Sequence, residues 1–326
     1  MSSFSSDGSD PGPKAGDCRA GGKSVTGRSV ITDLSHWGPD SSYPPILQAD
    51  AEQYCRTLAQ THYENFPVAS WLLPRHLRQH FCNVYAYCRW ADDLGDETGD
   101  RPRSLQLLRW WEQQLNRCYL GEAEHPVFVA LGPTIRRYSI PREPFADLIS
   151  AFIQDQTVLR YETFPQLLDY CQRSANPVGR IVLHLCERST AENDAWSDAI
   201  CTGLQLANFW QDVDRDLNIG RVYLPADLRS QFGYSDMDLE CRRTTPEFLD
   251  MMHFLVEDAR TRLRAGHPLI KKMPGRIRLD IDLFQRGGLL TLQAIERIGY
   301  RVWDQRPVVR KSELLRAAIK TLLGWT

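Results

Sequence analysis

Apolar residues recur at helical spacing through most of the chain after residue 46. In one such stretch the apolar side chains fall at or near three- and four-residue intervals: Leu77, Phe81, Val84, Tyr85 and Cys88. The pattern predicts helices over residues 75–93, 104–119, 144–159, 163–173, 178–187, 195–217, 246–266, 281–298 and 311–323. Alternating, strand-like runs are scarce, and no Asn-Gly or Asp-Gly turn lies between two of them. We therefore predict an all-α fold.

The first 45 residues have a different character from the rest of the chain. Glycine and serine account for 12 of the first 28 residues, and no apolar period is sustained before Pro45. Such a stretch buries too little apolar surface to offset the entropy of ordering it. We therefore predict a disordered tail over residues 1–45 and one helical domain over residues 46–326.

The overall charge excludes one large class of function. Lysine and arginine total 39 against 41 aspartates and glutamates, so the net charge is −2. Nucleic-acid binders normally need a clear basic excess, and we expect no nucleic-acid partner. From residue 257 onward, however, 15 basic residues outnumber 7 acidic ones. This basic part suits an anionic substrate or membrane surface, and equally an ordinary solvated surface.

The nine cysteines are scattered, and no two are spaced as Cys-x-x-Cys. The N-terminus also lacks a basic segment followed by an apolar one, so we expect free thiols in a cytoplasmic protein. No run of 18 apolar residues predicts a membrane span. No GxGxxG motif in a βαβ unit predicts a nicotinamide or flavin site.

Two groups of acidic residues lie inside otherwise apolar predicted helices. The first group contains Asp92 and Asp96, which are four residues apart and share one helix face. The second group contains Asn208, Asp212 and Asp216, which follow at four-residue intervals along one face of another predicted helix. We call each group an acidic ladder. Like charges at this spacing repel each other, and a divalent cation would relieve the repulsion. Oxygen ligands without histidine or cysteine suit Mg²⁺, which substrate phosphates often complete. A single such ladder is commonly a solvated surface, but two in apolar surroundings indicate a Mg²⁺-diphosphate site.

These ladders, together with Arg89 before the first and Arg221-Val-Tyr223-Leu-Pro225 after the second, resemble the squalene/phytoene synthase family of head-to-head prenyltransferases. The resemblance extends from about residue 50 to 320. It implies an isoprenoid synthase bundle with a central apolar cavity and an isoprenoid diphosphate substrate. It also implies functional coupling to other enzymes of the squalene pathway.

Three stretches look most like the hydroxysqualene synthase branch of bacterial hopanoid biosynthesis: residues 65–70, 174–179 and 208–212. That branch converts presqualene diphosphate to hydroxysqualene by ionisation, rearrangement and capture of water. One alternative is a squalene or presqualene diphosphate synthase that condenses two farnesyl diphosphates. Another is a non-catalytic assembly factor of the same fold, although the intact ladders favour an enzyme.

The resemblance and the residue chemistry together assign candidate roles. Mg²⁺ ligands are expected at Asp92, Asp96, Asp212 and Asp216. Asn208 is expected to orient metal-bound water, and Arg89 and Arg221 to bind the diphosphate. Weaker candidates for substrate contact share only a polar side chain near these motifs: His62, Tyr85, Asp93, Asp155, Gln205, Tyr223 and Arg306.

The last predicted helix is amphipathic. Its apolar side comprises Leu314, Leu315, Ala318, Ile319, Leu322 and Leu323. Two interpretations stay open: the apolar side packs on the protein core, which is the commoner arrangement, or it lies on the inner face of a membrane.

Overall fold

The computed structural model describes residues 30–61 and 73–323. Of residues 318–320, 322 and 323 it describes the backbone only. A 3₁₀ turn, Val30–Asp33, precedes sixteen α-helices in these ranges. They are α1 (Leu34–Trp37), α2 (Gln48–Thr61), α3 (Arg75–Asp96), α4 (Arg101–Leu120), α5 (Pro126–Tyr138), α6 (Glu143–Asp155), α7 (Phe164–Ser174), α8 (Asn176–Leu185), α9 (Ala191–Gln211), α10 (Val213–Asn218), α11 (Ala226–Phe232), α12 (Asp236–Glu240), α13 (Pro246–Ala265), α14 (Pro268–Lys272), α15 (Ile277–Arg297) and α16 (Lys311–Leu323). The predicted all-α class is confirmed.

All nine predicted helices are present, but two details differ. The sequence pattern left α2, α5 and four shorter helices unmarked, namely α1, α11, α12 and α14. In α5 the pattern is interrupted by Gly132 and Pro133, yet both residues lie inside the helix. The predicted helix over 195–217 is not continuous. It divides at Asp212, whose backbone angles (φ −107°, ψ 19°) separate α9 from α10.

Helix α9 occupies the middle of the bundle and packs against α8, α13 and α15. Two glycines allow this close approach. A Cβ atom on Gly203 would lie 2.7 Å from Leu263 Cγ, and one on Gly288 would lie 2.7 Å from Leu204 Cδ2. Leucine side chains therefore pack directly against the glycine backbone of the facing helix, which brings α9 close to α13 and α15.

The N-terminal part of the described chain packs on the bundle. Val30 is fully buried, and its backbone N–H donates a 3.0 Å hydrogen bond to Asp93 Oδ2 on α3. Tyr54 on α2 likewise donates its hydroxyl to Asp33 Oδ2 at 2.8 Å. The predicted boundary at residue 45 is therefore wrong for residues 30–37, which belong to the folded domain.

The described cysteines are all free thiols, as expected from their spacing. Cys55, Cys118, Cys171 and Cys186 are buried, whereas Cys241 is exposed. Burial raises the pKa of the Cys118 and Cys171 thiols to about 12, which leaves them protonated and unreactive. These cysteines fill the core as small apolar residues.

Candidate active site

The first acidic ladder faces a cavity of about 230 Å³ between α3, α6, α7 and α9. Asp92 and Asp96 lie in the last two turns of α3 and form one wall. The other lining residues come from the facing helices and the segment after α10: Leu148, Ala151, Phe152, Asp155, Tyr170, Ser174, Gln205, Arg221 and Tyr223. The predicted pair on α3 thus meets four other candidate residues.

An extended segment after α10 carries Arg221 and Tyr223 into this cavity. The Val222 N–H donates to the Leu159 carbonyl at 2.7 Å, and the segment forms a short parallel bridge there. Since side chains alternate along extended backbone, Val222 is buried in the core while its two neighbours face the cavity. The Tyr223 ring also stacks on Phe209, with ring centroids 3.8 Å apart.

Arg221 lies between the two acidic ladders. Its Nη2 atom is 3.4 Å from Asp96 Oδ1 on the first ladder. It also lines a small crevice together with Asp216 of the second ladder, where burial raises the pKa of the carboxyl and the charge of Arg221 offsets part of that rise. One guanidinium therefore contacts the first ladder and lies near a carboxylate of the second, as a diphosphate-binding group between them would.

Desolvation and mutual repulsion disturb the ionisation of both ladders. Burial, and then the charge of Asp96, raise the pKa of Asp92 to about 6. Burial, and then the charge of Asp212, raise the pKa of Asp216 to about 7. A carboxylate that is costly to ionise without a cation is a typical feature of a functional site.

The carboxyl of Asp155 on α6 adds a further acidic group to the cavity. Burial raises its pKa to about 6, although the Tyr170 hydroxyl donates a 2.9 Å hydrogen bond to its Oδ2. Asp155 and Gln205 were weak predictions from the sequence, and the structure brings both to the cavity wall beside the first ladder.

The chain segment that follows α15 contacts the second ladder. Arg306 Nε donates a 2.8 Å hydrogen bond to Asp212 Oδ1, and Arg215 lies 3.8 Å from the same oxygen. Asn208 is exposed one turn earlier, where its carbonyl accepts the Asp212 N–H. The predicted Arg306 therefore meets the second ladder, although it lies 94 residues away in the chain.

Other predicted residues lie outside the cavity. Asp93 points towards Val30 and is 1% exposed, and it pairs with Arg89 on the same helix. Arg89 also contacts Asp92 at 3.3 Å and Glu97 at 3.0 Å. Both residues therefore brace α3 rather than line the cavity.

Two further predictions have different outcomes. Tyr85 is half-buried on α3, and burial raises the pKa of its hydroxyl, but it is not among the residues that line the cavity. His62 lies outside the described residues.

Sequence reasoning included Ser174, at the end of α7, only within the stretch 174–179 and did not name it as a site residue. Ser174 lines the cavity, and its hydroxyl is buried. This hydroxyl has no hydrogen-bond partner among residues 30–61 and 73–323. Buried polar groups are normally paired, so a solitary hydroxyl here indicates a place for a substrate group or water. Serine carries no charge or periodicity that would have marked it, and only the folded structure shows its position.

The donor set fits a divalent cation that binds together with a phosphate group. The ladders supply carboxylate oxygens in pairs, and within the described ranges no three acidic, histidine or cysteine side chains converge on one point. Mg²⁺ is commonly held by one or two carboxylates, with water and substrate phosphates completing its shell. The four predicted ligands therefore stay a prediction that the residue chemistry supports.

The squalene/phytoene synthase family model matches residues 59–313 of this chain. A hydroxysqualene synthase from Rhodopseudomonas palustris is 37% identical over 227 residues, covering 68% of this chain and 76% of that protein. A phytoene synthase from Arthrospira platensis is 31% identical over 280 residues, covering 81% and 90% respectively.

Solved structures agree with these sequence relatives. The squalene synthase HpnC from Alicyclobacillus acidocaldarius is 42% identical, with a TM-score of 0.74 over 79% of this chain and 97% of that one. A dehydrosqualene synthase has the same TM-score at 22% identity, which shows a shared fold.

Proposed function

Because the chain belongs to the squalene/phytoene synthase family, it acts on an isoprenoid diphosphate, and we propose that it converts presqualene diphosphate to hydroxysqualene. Relatives named hydroxysqualene synthase support this choice, since two of them are 36% and 37% identical to the chain. The stretches at 65–70, 174–179 and 208–212 support it as well.

The reaction begins at the mouth of the cavity. The C–O bond between the cyclopropylcarbinyl carbon and the diphosphate breaks, and the electron pair leaves with the diphosphate. Asp92 and Asp96 on one side, with Asp212 and Asp216 on the other, would hold Mg²⁺, which neutralises the charge of the leaving group. Arg221 donates charge-assisted hydrogen bonds to its oxygens, exchanging its contact with Asp96 for one with phosphate.

Part of the cavity wall suits the cation that remains. Leu148, Ala151 and Phe152 give it apolar contacts, and the face of the stacked Tyr223 ring can stabilise positive charge. After rearrangement and opening of the cyclopropane, a water oxygen bonds to the cationic carbon and transfers a proton to the departed diphosphate.

The observation that carries the proposal is the pair of uncharged polar groups in this wall. The Gln205 amide lines the same cavity as Leu148, Ala151 and Phe152, and so does the Ser174 hydroxyl, which has no hydrogen-bond partner among the described residues. Both can hold a water molecule by hydrogen bonds next to the cation. Capture by water is the step that such a wall favours.

A second candidate is a synthase that condenses two isoprenoid diphosphates to squalene, presqualene diphosphate or phytoene. The similarity to phytoene synthases favours it, because that similarity covers more of the chain than the similarity to hydroxysqualene synthases. Both candidates would use the same site to ionise the first diphosphate. They differ in what reacts with the resulting cation, which is water in the first candidate and a second isoprenoid in the other.

Product analysis separates these candidates. We expect the purified protein with Mg²⁺ to form hydroxysqualene from presqualene diphosphate and no product from farnesyl or geranylgeranyl diphosphate. The matched control is the same protein with EDTA, which should form nothing. Squalene or presqualene diphosphate from farnesyl diphosphate, or phytoene from geranylgeranyl diphosphate, would contradict the proposal in favour of the condensing enzyme.

A further inference from the structure

Residues 30–37, here called the N-terminal strap, lie before the region that matches the family, which begins at residue 59. The strap is nevertheless part of the folded domain. Val30 and Asp33 are buried, and the 3₁₀ turn that contains them packs on α3. The family match therefore does not account for what the strap does.

Two hydrogen-bonded connections attach the strap to one turn of α3. The Val30 N–H donates to Asp93 Oδ2 at 3.0 Å, and both residues are at most 1% exposed. In the second connection, Tyr54 donates its hydroxyl to Asp33 Oδ2 at 2.8 Å, and the indole N–H of the fully buried Trp90 donates to the Tyr54 hydroxyl at 3.0 Å. Trp90 and Asp93 are three residues apart, so the strap holds this turn at two points on one face.

Arg89 extends the first connection to the acidic ladder. Its side chain, which is 14% exposed, forms an ion pair with Asp93 and contacts Glu97 at 3.0 Å. The same guanidinium lies 3.3 Å from Asp92 Oδ2. Because a guanidinium is a rigid planar fork of donors, two carboxylates that hold it fix the direction from which it meets the third. The Val30 N–H, Asp93 and Arg89 therefore form a continuous relay that ends on a predicted Mg²⁺ ligand.

The contacts of Arg89 distinguish positioning from direct contact with a diphosphate. Both terminal nitrogens of its guanidinium already have carboxylate partners, and its Nε atom is buried. Arg221, by contrast, lines the cavity and lies 3.4 Å from Asp96. The diphosphate-binding role expected for both arginines therefore fits Arg221 better than Arg89.

We propose that Arg89 is a positioning residue, which the strap holds through Asp93 and which orients the Asp92 carboxylate for the Mg²⁺-diphosphate site. The inference rests on the proposed function, because that function assigns Asp92 to the metal. A carboxylate that is already held in one orientation loses less freedom when the cation binds. Loss of an orienting group of this kind commonly changes metal affinity by about tenfold or more.

Isothermal titration of the full-length protein with inorganic diphosphate and Mg²⁺ tests the relay. V30P removes the N–H that Asp93 accepts, and the backbone of a 3₁₀ turn suits the fixed φ angle of proline. We expect V30P to bind diphosphate about fivefold more weakly than the wild type. The matched control V30A loses buried methyl groups but keeps the N–H, so it should melt at a lower temperature and bind as the wild type does.

A second pair of variants tests whether the strap acts through Arg89. R89K keeps the positive charge but replaces the planar fork by a single ammonium group, and we expect about tenfold weaker binding. V30P/R89K should bind within about twofold of R89K, because the relay is already broken at Arg89. Wild-type affinity in R89K would show that charge alone matters and would overturn the proposal. Losses that multiply to about fiftyfold in the double variant would overturn it as well, because the two positions would then act independently.

Hydrogen exchange supplies a readout that needs no variant. Coupling between two sites is reciprocal, so a strap contact that strengthens diphosphate binding about fivefold is itself strengthened by the same factor when diphosphate binds. Bound Mg²⁺ and diphosphate should therefore slow exchange of the Val30 amide about fivefold in the wild type. Equal exchange with and without diphosphate, equal affinity of V30P and the wild type, or equal losses in V30P and V30A would overturn the relay.

These measurements use no isoprenoid, so they stand whichever product the protein forms. A wild type that does not bind diphosphate in the presence of Mg²⁺ would contradict the diphosphate site itself, and this inference with it.

Discussion

Asp92 and Asp93 are adjacent in the chain, but their side chains leave α3 in different directions. The Asp92 side chain is 45% exposed and faces the cavity, whereas that of Asp93 is 1% exposed and accepts the Val30 N–H. Successive residues on a helix do not share a face, so only one of the two can belong to the ladder with Asp96.

This difference predicts opposite phenotypes for the two alanine variants. D93A leaves the buried Val30 N–H without its partner and removes one of the three carboxylates around Arg89, and we expect it to lower the free energy of unfolding by about 2–3 kcal/mol. D92A should keep the wild-type melting temperature within a few degrees and lose turnover at least about a hundredfold. Thermal denaturation and steady-state assays of both variants measure the contrast, and an active D92A or a fully stable D93A would contradict it.

The sequence alone could place Asp92, Asp96, Asp212 and Asp216, because helical spacing fixes which carboxylates share a face. It could not exclude Asp93, whose partner lies 63 residues earlier. Ser174 escaped as well, since its significance depends on a missing hydrogen-bond partner in the folded structure.

At the scale of elements, the break between α9 and α10 is the main departure from the predicted helices. Asp212 caps α9, and the Asp216 N–H still donates to the Asp212 carbonyl at 2.9 Å across the break. The ladder therefore keeps its helical register although the helix bends. Periodicity predicts the register but not the break, which falls at the residue whose side chain contacts Arg306.

Helix α15 carries an unusual buried acid, Asp280. The residue is 4% exposed, and neither carboxylate oxygen has a hydrogen-bond partner within the described chain. Burial raises its pKa to about 7. Because the folded state holds this proton more tightly than the unfolded state, stability falls as the pH rises from about 4 to about 7.

We therefore expect D280N to be less sensitive to pH than the wild type. Between about pH 5 and about pH 8 the variant should gain on the order of 2 kcal/mol relative to the wild type, since it has no charge to bury. D282N is the control: Asp282 accepts hydrogen bonds from Arg286 and Thr321, so its loss should destabilise the protein at both pH values. If the free energy of unfolding changed with pH by the same amount in D280N and in the wild type, the raised pKa assigned to Asp280 would be contradicted.

At the scale of the whole molecule, one helical bundle brings residues from distant parts of the sequence to the acidic ladders, as the proposed diphosphate site requires. The near-zero net charge conceals acidic ladders and a basic C-terminal region, and the two meet where Arg306 contacts Asp212. Arg221 and Arg306 meet the ladders, while Arg310, Lys311 and Arg316 face outward. Family resemblance predicted the bundle, but the contacts of α16 with Arg297 and Asp282 are visible only in the folded structure.

The central claim is that two ladders on different helices form one Mg²⁺-diphosphate site. Isothermal titration with inorganic diphosphate tests it directly, using wild type, D96N, D216N and the exposed control D40N. We predict that wild type and D40N bind diphosphate only with Mg²⁺, and that D96N and D216N each weaken binding at least about tenfold. Wild-type affinity in D96N or D216N, or equal binding without Mg²⁺, would contradict the shared site.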